Sequence, residues 1–465
     1  MRFFFRTASL SLALLVSQSF AHADPVQDHP GFWLGKIKIP NGPELRMGAE
    51  LFARADGSAW ASLASPDQGA YDIPVKAIRA EAGDTIVLDV GFGSLEMRWA
   101  KDHFDGKWNQ GGDNLPLTLV RADGFQDARR PQTPKPPLPY KEQEIAIHGK
   151  DGVTLGGTLS VPNAPARPNA VVLVAGSGPQ TRHVQNAGHR LFDVLADHLA
   201  RQGIAVLRYD KRGIGRSTGS YHGHTTAQLA DDAYAAVQAL KASGRFRHVG
   251  MVGHSEGSQV AAAVAAAHPE AVDFLVSMAG VGMKGLDLML LQDRQYALDQ
   301  GATPQELERL MPYVRNYYDT VLATADGESR IAALKAVHAS LPAADRELIE
   351  ARHMNVGTLS PAMAAEPFLP VILKDDTRAY WRAIRRPVLV LGGSLDHQVP
   401  AAENVAGIVE ALKTNPHARV ESAVLPSLNH GFQTARTGKE DEYARIDETM
   451  APAAMQKIAA FVRRQ

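Results

Sequence analysis

Val249-Gly250-Met251-Val252-Gly253-His254-Ser255-Glu256-Gly257 is a buried-type strand run that passes directly into Gly-X-Ser-X-Gly. The Ala-rich segment that follows, Val260 to Ala267, is helix-compatible, so the serine falls on a strand-to-helix turn. The glycines matter because a serine on so sharp a turn brings the flanking backbone close to its neighbours, where side chains would collide. The turn lifts Oγ into the open. The helix that starts behind it offers free N–H groups and a positive dipole end to a developing oxyanion.

A serine hydroxyl is a weak nucleophile until a base takes its proton, so a histidine and an orienting carboxylate are required further along the chain. Leu389-Val390-Leu391-Gly392-Gly393-Ser394-Leu395-Asp396 places Asp396 in the loop after a buried-type strand. Leu425-Pro426-Ser427-Leu428-Asn429-His430-Gly431 places His430 in the loop after the next. Alone, Asp396 reads as a turn residue and His430 as a surface loop residue. Their joint placement after successive strands, in the order Ser, Asp, His, makes them the acid and base of a triad with Ser255. Asp375 and Asp376 are competing carboxylates in the C-terminal half, but they precede Tyr380-Trp381 and not the end of a sheet strand.

Around this core the sequence alternates strand and helix signals. A hairpin is expected over Gln143 to Ile147 and Val153 to Val161, strands over Ala170 to Val174, Ile204 to Tyr209, Pro387 to Leu391 and Val420 to Leu425. Helices are expected near Leu191 to Gln202, Ala227 to Ala242, Glu403 to Leu412 and Tyr443 to Val462. Thr225 with Gln228 is a capping-box pair at one helix start. This is the grammar of a mostly parallel sheet covered by helices on both faces.

Composition narrows the chemistry. The 465 residues carry 49 Lys plus Arg against 50 Asp plus Glu, so no net field holds a polyanion, and nucleic-acid binding is not expected. There is no cysteine, which excludes disulfides, thiolate metal sites and a cysteine nucleophile. Phosphate-binding glycine loops are absent; Gly213-Ile214-Gly215 is too short to count. His222-Gly223-His224 lacks the partner spacing of a metal site, so no metal and no cofactor is expected.

From about Tyr140 to the end the chain resembles an α/β-hydrolase of the esterase and serine-aminopeptidase-like kind. The blocks that carry the resemblance are Val172-Leu173-Val174-Ala175-Gly176-Ser177-Gly178-Pro179-Gln180, Asp210-Lys211-Arg212-Gly213-Ile214-Gly215-Arg216-Ser217, the Ser255 turn, and Gly393 to Pro400 with Asn429-His430-Gly431. The whole chain is similar to secreted bacterial esterases with an N-terminal β-rich domain. The resemblance implies an α/β-hydrolase sheet with a helical lid insertion, preceded by a small all-β domain. It makes the Glu256 and Ser177 amides the oxyanion hole, with Ala175 standing where many relatives have histidine and Gly178 left as an alternative to Ser177. It also implies that Asp210 to Ser217 shapes the loop behind the site.

The expected organisation is a signal peptide over residues 1–23, a β-rich domain over 24–125, a Pro-rich linker over 126–140 and a catalytic domain over 141–465. Arg2 and Arg6, the apolar Leu10 to Val16 and Ala21-His22-Ala23 form the signal pattern, too short to span a bilayer, so a periplasmic or secreted chain without an integral membrane segment is expected. In the β-rich part, Trp33 to Ile39, Ala59 to Leu63, Thr85 to Val90 and Leu115 to Val120 alternate like strands of a small barrel or sandwich. Its tryptophans, Trp33, Trp60, Trp99 and Trp108, read as core before they read as a carbohydrate-binding face. Arg129 to Pro139 reads as an extended polyproline spacer.

The lid is expected over about 281–386, where Thr303-Pro304-Gln305-Glu306 starts a capped helix. Leu286, Leu290, Tyr296, Met311, Tyr313, Tyr317, Met354, Met363 and Phe368 supply its apolar surface, with an acyl or aromatic pocket expected beneath. The function expected is hydrolysis of a small-molecule carboxylic ester through an acyl-enzyme. A peptidase or acyltransferase of the same fold, and a non-catalytic binding protein, remain alternatives; the sequence sets neither the substrate-binding residues nor the oligomeric state.

Overall fold

The computed structural model describes residues 25–40, 42–125, 130–352, 354 and 367–465. The expected signal peptide and Met363 lie outside the described residues. Among the described residues no helix is long and apolar enough to cross a membrane.

The first sheet is antiparallel and nine-stranded: β1 (Gly31–Lys38), β2 (Glu44–Ala53), β3 (Ala59–Ser65), β4 (Ala70–Pro74), β5 (Ala77–Glu81), β6 (Thr85–Asp89), β7 (Ser94–Ala100), β8 (His103–Gln110) and β9 (Asp113–Ala122). Its order is β4-β3-β2-β1-β9-β8-β7-β6-β5, so β1 pairs with β9 and the two ends, β4 and β5, are joined by only Val75 and Lys76 without pairing. One apolar cluster draws on most of these strands, from Trp33 and Leu51 through Leu63 and Ile86 to Phe104 and Leu119. The sheet therefore curls around its own core and leaves a seam between β4 and β5. Trp33 and Trp108 are buried in that core and Trp99 packs against it, whereas Trp60 stacks on Phe52 with ring centroids 4.7 Å apart and reaches the domain surface.

The second sheet contains β10 (Tyr140–His148), β11 (Thr154–Pro162), β12 (Ala170–Val174), β15 (Ala205–Tyr209), β16 (Val249–His254), β17 (Leu275–Met278), β18 (Pro387–Gly393) and β19 (Arg419–Leu425); a two-residue pair, β13 (Gln185–Asn186) and β14 (His189–Arg190), lies outside it. The order is β10-β11-β15-β12-β16-β17-β18-β19, antiparallel at the β10-β11 hairpin and the β11-β15 join and parallel thereafter. On β12, Val172 and Val174 join one helix-covered core while Val171 and Leu173 join the other, the period of two that a doubly covered strand demands. This is the mostly parallel, helix-flanked sheet that the resemblance implies. The capping boxes at Thr225 and Thr303 both form.

Three features depart from the sequence reading. The final helix runs only Pro452–Arg463, with a separate short turn at Glu440–Tyr443, because a proline at the first helical turn sets the start there. Strand β17 carries no expectation; it is four residues long and interrupted by Ser277, whose hydroxyl accepts from Ser258 Oγ at 2.6 Å. The Pro-rich spacer is not uniformly extended: it turns at Pro131 and Gln132, where the Thr133 N–H donates to the Arg130 carbonyl, and it is tied down, since Arg130 donates to the carbonyls of Ala187, Ala444 and Ile446, and Gln132 donates to the Met450 carbonyl and accepts from the Thr449 and Met450 amides.

The two sheets meet through polar contacts. Arg54 donates from Nη2 to the Gly213 carbonyl at 2.8 Å and from Nε to that of Gly215 at 3.0 Å, and Thr181 Oγ1 donates to Asp72 at 2.9 Å. The Arg216 guanidinium sits 4.5 Å from the centre of the Phe52 ring. Arg54→Ala should lower stability by roughly 2 kcal/mol, because two charged hydrogen bonds are lost and two carbonyls lose their donors. Arg54→Lys should not restore it, since one ammonium cannot span both acceptors. Chemical denaturation of the three proteins checks this; an unchanged midpoint in Arg54→Ala would show that the contact contributes nothing.

Candidate active site

Ser255 sits between β16 and the helix Glu256–Ala267 at φ 54° and ψ −124°, left-handed backbone that a serine adopts only when its surroundings impose it. A Cβ at Gly253 would strike the Gly257 carbonyl oxygen, and one at Gly257 would strike that of Val174, so both motif glycines are required by contact with backbone. The Ser255 N–H donates to the Met278 carbonyl at 2.9 Å, which ties the turn to β17.

Asp396 lies in the loop after β18, buried. Its Oδ1 accepts from the backbone amides of Gln398 (3.0 Å) and Val399 (2.8 Å), and its Oδ2 faces His430 Nδ1 at 2.9 Å. These bonds fix the carboxylate and direct one oxygen at the imidazole, which assigns the Nδ1 proton to that bond and leaves Nε2 as the basic nitrogen. His430 follows β19 in a loop braced by Asn429, whose side chain bonds the Gln433 amide group and accepts from the Gln433 N–H. Ser255 and His430 line one cavity of about 440 Å³.

The competing carboxylates are engaged elsewhere. Asp375 accepts from Gln259 and from Tyr380 Oη, and Asp376 pairs with Arg378 at 2.7 Å. The amides of Ser177 and Glu256, on the loop after β12 and at the first position of the Glu256–Ala267 helix, have no hydrogen-bond partner among the described residues. Both residues border a larger cavity of about 930 Å³, as does Gly178. The Asp210 to Ser217 block is held by buried ion pairs: Asp210 takes Arg182 and the Arg216 amide, and Lys211 Nζ lies 3.0 Å from Glu256. Arg182 and the surrounding amides keep the Asp210 carboxyl below its usual range against the effect of burial.

His254 is the residue that sequence reasoning missed. Its Nε2 donates to the His430 carbonyl at 2.9 Å and its ring lies 4.8 Å from the His430 ring. Burial, then the neighbouring His430, pushes its pKa down to about 4, so it is a neutral brace. No local pattern signals a bond to a backbone group 176 positions away.

The insertion also corrects an expectation. Tyr317 and Met354 line neither cavity at the Ser255 turn; with Leu286 they are buried in the core of the insertion itself, where Leu290, Met311 and Tyr313 pack against them. Phe368 does border the larger cavity and Tyr296 the smaller one. Trp381 belongs to the main core beneath the sheet, so the chain has rejoined the sheet's helical layer before residue 386. His222 and His224 border the larger cavity, and among the described residues no group of three metal-ligating side chains gathers.

Comparison with known proteins agrees with this architecture. A family model described as alpha/beta hydrolase fold matches residues 170–424, more than half of the chain. The esterase EstD of Thermotoga maritima is 30% identical over 129 residues, 28% of this chain and 30% of that protein. The esterase FrsA of Yersinia enterocolitica is 40% identical over 81 residues, 17% of this chain and 18% of that protein. The chain thus spans less than a third of either curated relative. Among solved structures, the Pyrococcus furiosus esterase Pf2001 superposes with a TM-score of 0.42 at 16% identity, covering 70% of this chain and 92% of that one. The hypothetical protein PA2218 of Pseudomonas aeruginosa gives 0.44 at 15%, covering 73% and 98%.

Two outcomes follow from the geometry. Asp396→Asn should preserve the fold but favour the wrong tautomer of His430, with turnover falling by as much as roughly ten-thousand-fold, while Asp375→Asn and Asp376→Asn stay near full activity. Ester turnover and thermal midpoint of the three variants decide; collapse of either control without unfolding contradicts the assignment. Between pH 6.5 and 4 the unfolded chain protonates His254 while the folded chain does not, so this residue alone makes stability fall as pH drops through that window. The loss should reach about 3 kcal/mol, and the slope should flatten in His254→Gln, as denaturation at pH 4.5 and 7 would report.

Proposed function

The chain belongs to the alpha/beta hydrolase fold family, and we propose that it hydrolyses carboxylic esters by a serine mechanism. The observation that carries this reading is the hydrogen bond between His430 Nδ1 and Asp396 at 2.9 Å, in a cavity that the Ser255 turn also borders. Ser255 Oγ attacks the ester carbonyl while His430 Nε2 takes its proton, and Asp396 stabilises the imidazolium that forms. The Glu256 and Ser177 amides, unpartnered among the described residues and next to the nucleophile, receive the oxyanion. The tetrahedral intermediate collapses, the C–O bond to the alcohol breaks, and His430 returns the proton to the departing oxygen. Water, losing a proton to His430, then attacks the acyl carbon; the bond to Ser255 Oγ breaks, His430 returns the proton to that oxygen and the acid leaves. No step in this sequence calls on a cofactor.

The esterase names of the partial relatives favour ester substrates over peptides. The basic start, apolar run and Ala21-His22-Ala23 support export to the periplasm or beyond, with cleavage before Asp24. The intact hydrogen-bonded pair disfavours a binding protein without chemistry.

A panel of p-nitrophenyl esters and aminoacyl anilides tests the reading. The protein should turn over esters, and Ser255→Ala should lose at least about a thousandfold of that rate with its thermal midpoint preserved. Turnover of anilides with no turnover of esters would instead make the protein a peptidase.

A further inference from the structure

Ser255 opens onto two cavities of opposite character. The larger, about 930 Å³, holds Ser255, Ser177 and Glu256, but His430 does not border it. One wall comes from the front β domain: Trp60 on β3, Ile73 on β4, Val75 in the seam, Ile78 on β5, and Phe92. The insertion faces them with Met289, Phe368 and Ile372. The charged groups along this cavity are largely engaged: Arg54 with the Gly213 and Gly215 carbonyls, Asp72 with Thr181, and Glu256 with Lys211. Lys76, His222 and His224 also border it, and most of the remaining lining is hydrocarbon.

The smaller cavity, about 440 Å³, holds Ser255, Ser177 and His430, and beside Val184, Leu191 and Val399 it is lined by Gln185, Gln292, Tyr296, Gln398, Gln433 and Thr449. Both amide atoms of Gln185 are buried there without a hydrogen-bond partner among the described residues. A buried amide with neither donor nor acceptor satisfied is costly, and turning the Gln185 side chain into the cavity to meet a ligand hydroxyl or carbonyl would relieve it.

The chemistry orients the substrate between them. The proton that leaves Ser255 must reach the departing alcohol from His430, so the alcohol lies on the His430 side. The acyl group, held at its carbonyl by the oxyanion amides, must extend the other way. We propose that the front β domain is part of the substrate site: it forms a wall of the acyl pocket, and the preferred substrates join a bulky apolar acid to a polar, hydroxyl-bearing alcohol. This rests on the ester-hydrolase reading above and adds the substrate class. It also gives the seam a purpose, since Val75 and its flanking strand ends turn toward the acyl cavity instead of pairing.

Four esters separate the axes: p-nitrophenyl acetate against p-nitrophenyl octanoate for the acid, and methyl octanoate against 1-octanoylglycerol for the alcohol. Phe92 is 61% exposed, so Phe92→Ser should fold normally, and Val75→Ser provides a second variant from the same wall. In both variants kcat/KM on the octanoate should fall by roughly tenfold, the cost of losing one apolar contact surface, mostly through KM. Turnover of the acetate should stay within about twofold, as a structural defect would not allow. Gln185→Leu should shrink the preference for the glycerol ester over the methyl ester by roughly fivefold or more and leave the ratio of octanoate to acetate turnover unchanged. Equal effects on acetate and octanoate, or Phe92→Ser altering the alcohol preference instead, would overturn the assignment of the cavities while leaving ester hydrolysis standing. Failure of the wild-type protein to turn over any of the four would overturn the hydrolase reading and this inference with it.

Discussion

Everything at the site depends on holding Ser255 at positive φ. That conformation is unfavourable for a residue with a side chain, and it persists because the surroundings leave no alternative. The Gly257 carbonyl occupies the space a Cβ on Gly253 would need, and the Val174 carbonyl does the same for Gly257. Three adjoining segments, β12, β16 and the start of the Glu256–Ala267 helix, can therefore approach only if the two motif positions stay bare. With the turn fixed, Oγ is presented at the end of the sheet, and the Glu256 amide becomes the first free donor of a buried helix.

The remaining functional groups are placed by strand order. Strand β16 is central, and β17, β18 and β19 follow it in parallel, so the loops after β18 and β19 open at the same end of the sheet as the serine. Buried charge then locks the loops. Asp396 is saturated by two amides and an imidazole, Asp210 by a guanidinium and two amides, and Glu256 by Lys211. Such buried ions contribute little to net stability, but removing one partner is costly, which restricts the loops to a single arrangement. His254 adds a neutral brace under His430 without placing a second positive charge beside it.

What the sequence made legible was local. The Ser255 turn, the Asp396 and His430 loops and both capping boxes rest on short-range patterns, and each pattern has a steric or hydrogen-bonding cause within a few residues. Features set by distant partners were not legible. The direction of His254 depends on the carbonyl of His430, and Tyr317 and Met354 carry no sign of whether they face a substrate or one another. An apolar helical residue satisfies either environment, and the closure of the insertion around its own core decides. The docked linker illustrates the same limit: its prolines mark a segment without regular structure, but Arg130 and Gln132 find acceptors more than 300 positions away. Trp60 and Phe92 belong to one domain by sequence and to the other's cavity by packing.

The central claim is that Ser255 is the nucleophile, activated through His430. Its most direct test is to treat the folded protein with a fluorophosphonate and map the adduct by mass spectrometry in wild type and His430→Ala. One phosphonyl group per chain on the peptide containing Ser255, with labelling strongly slowed in the variant, is the predicted result. A protein that hydrolyses esters yet carries no adduct at Ser255, or carries it on another residue, would contradict the account.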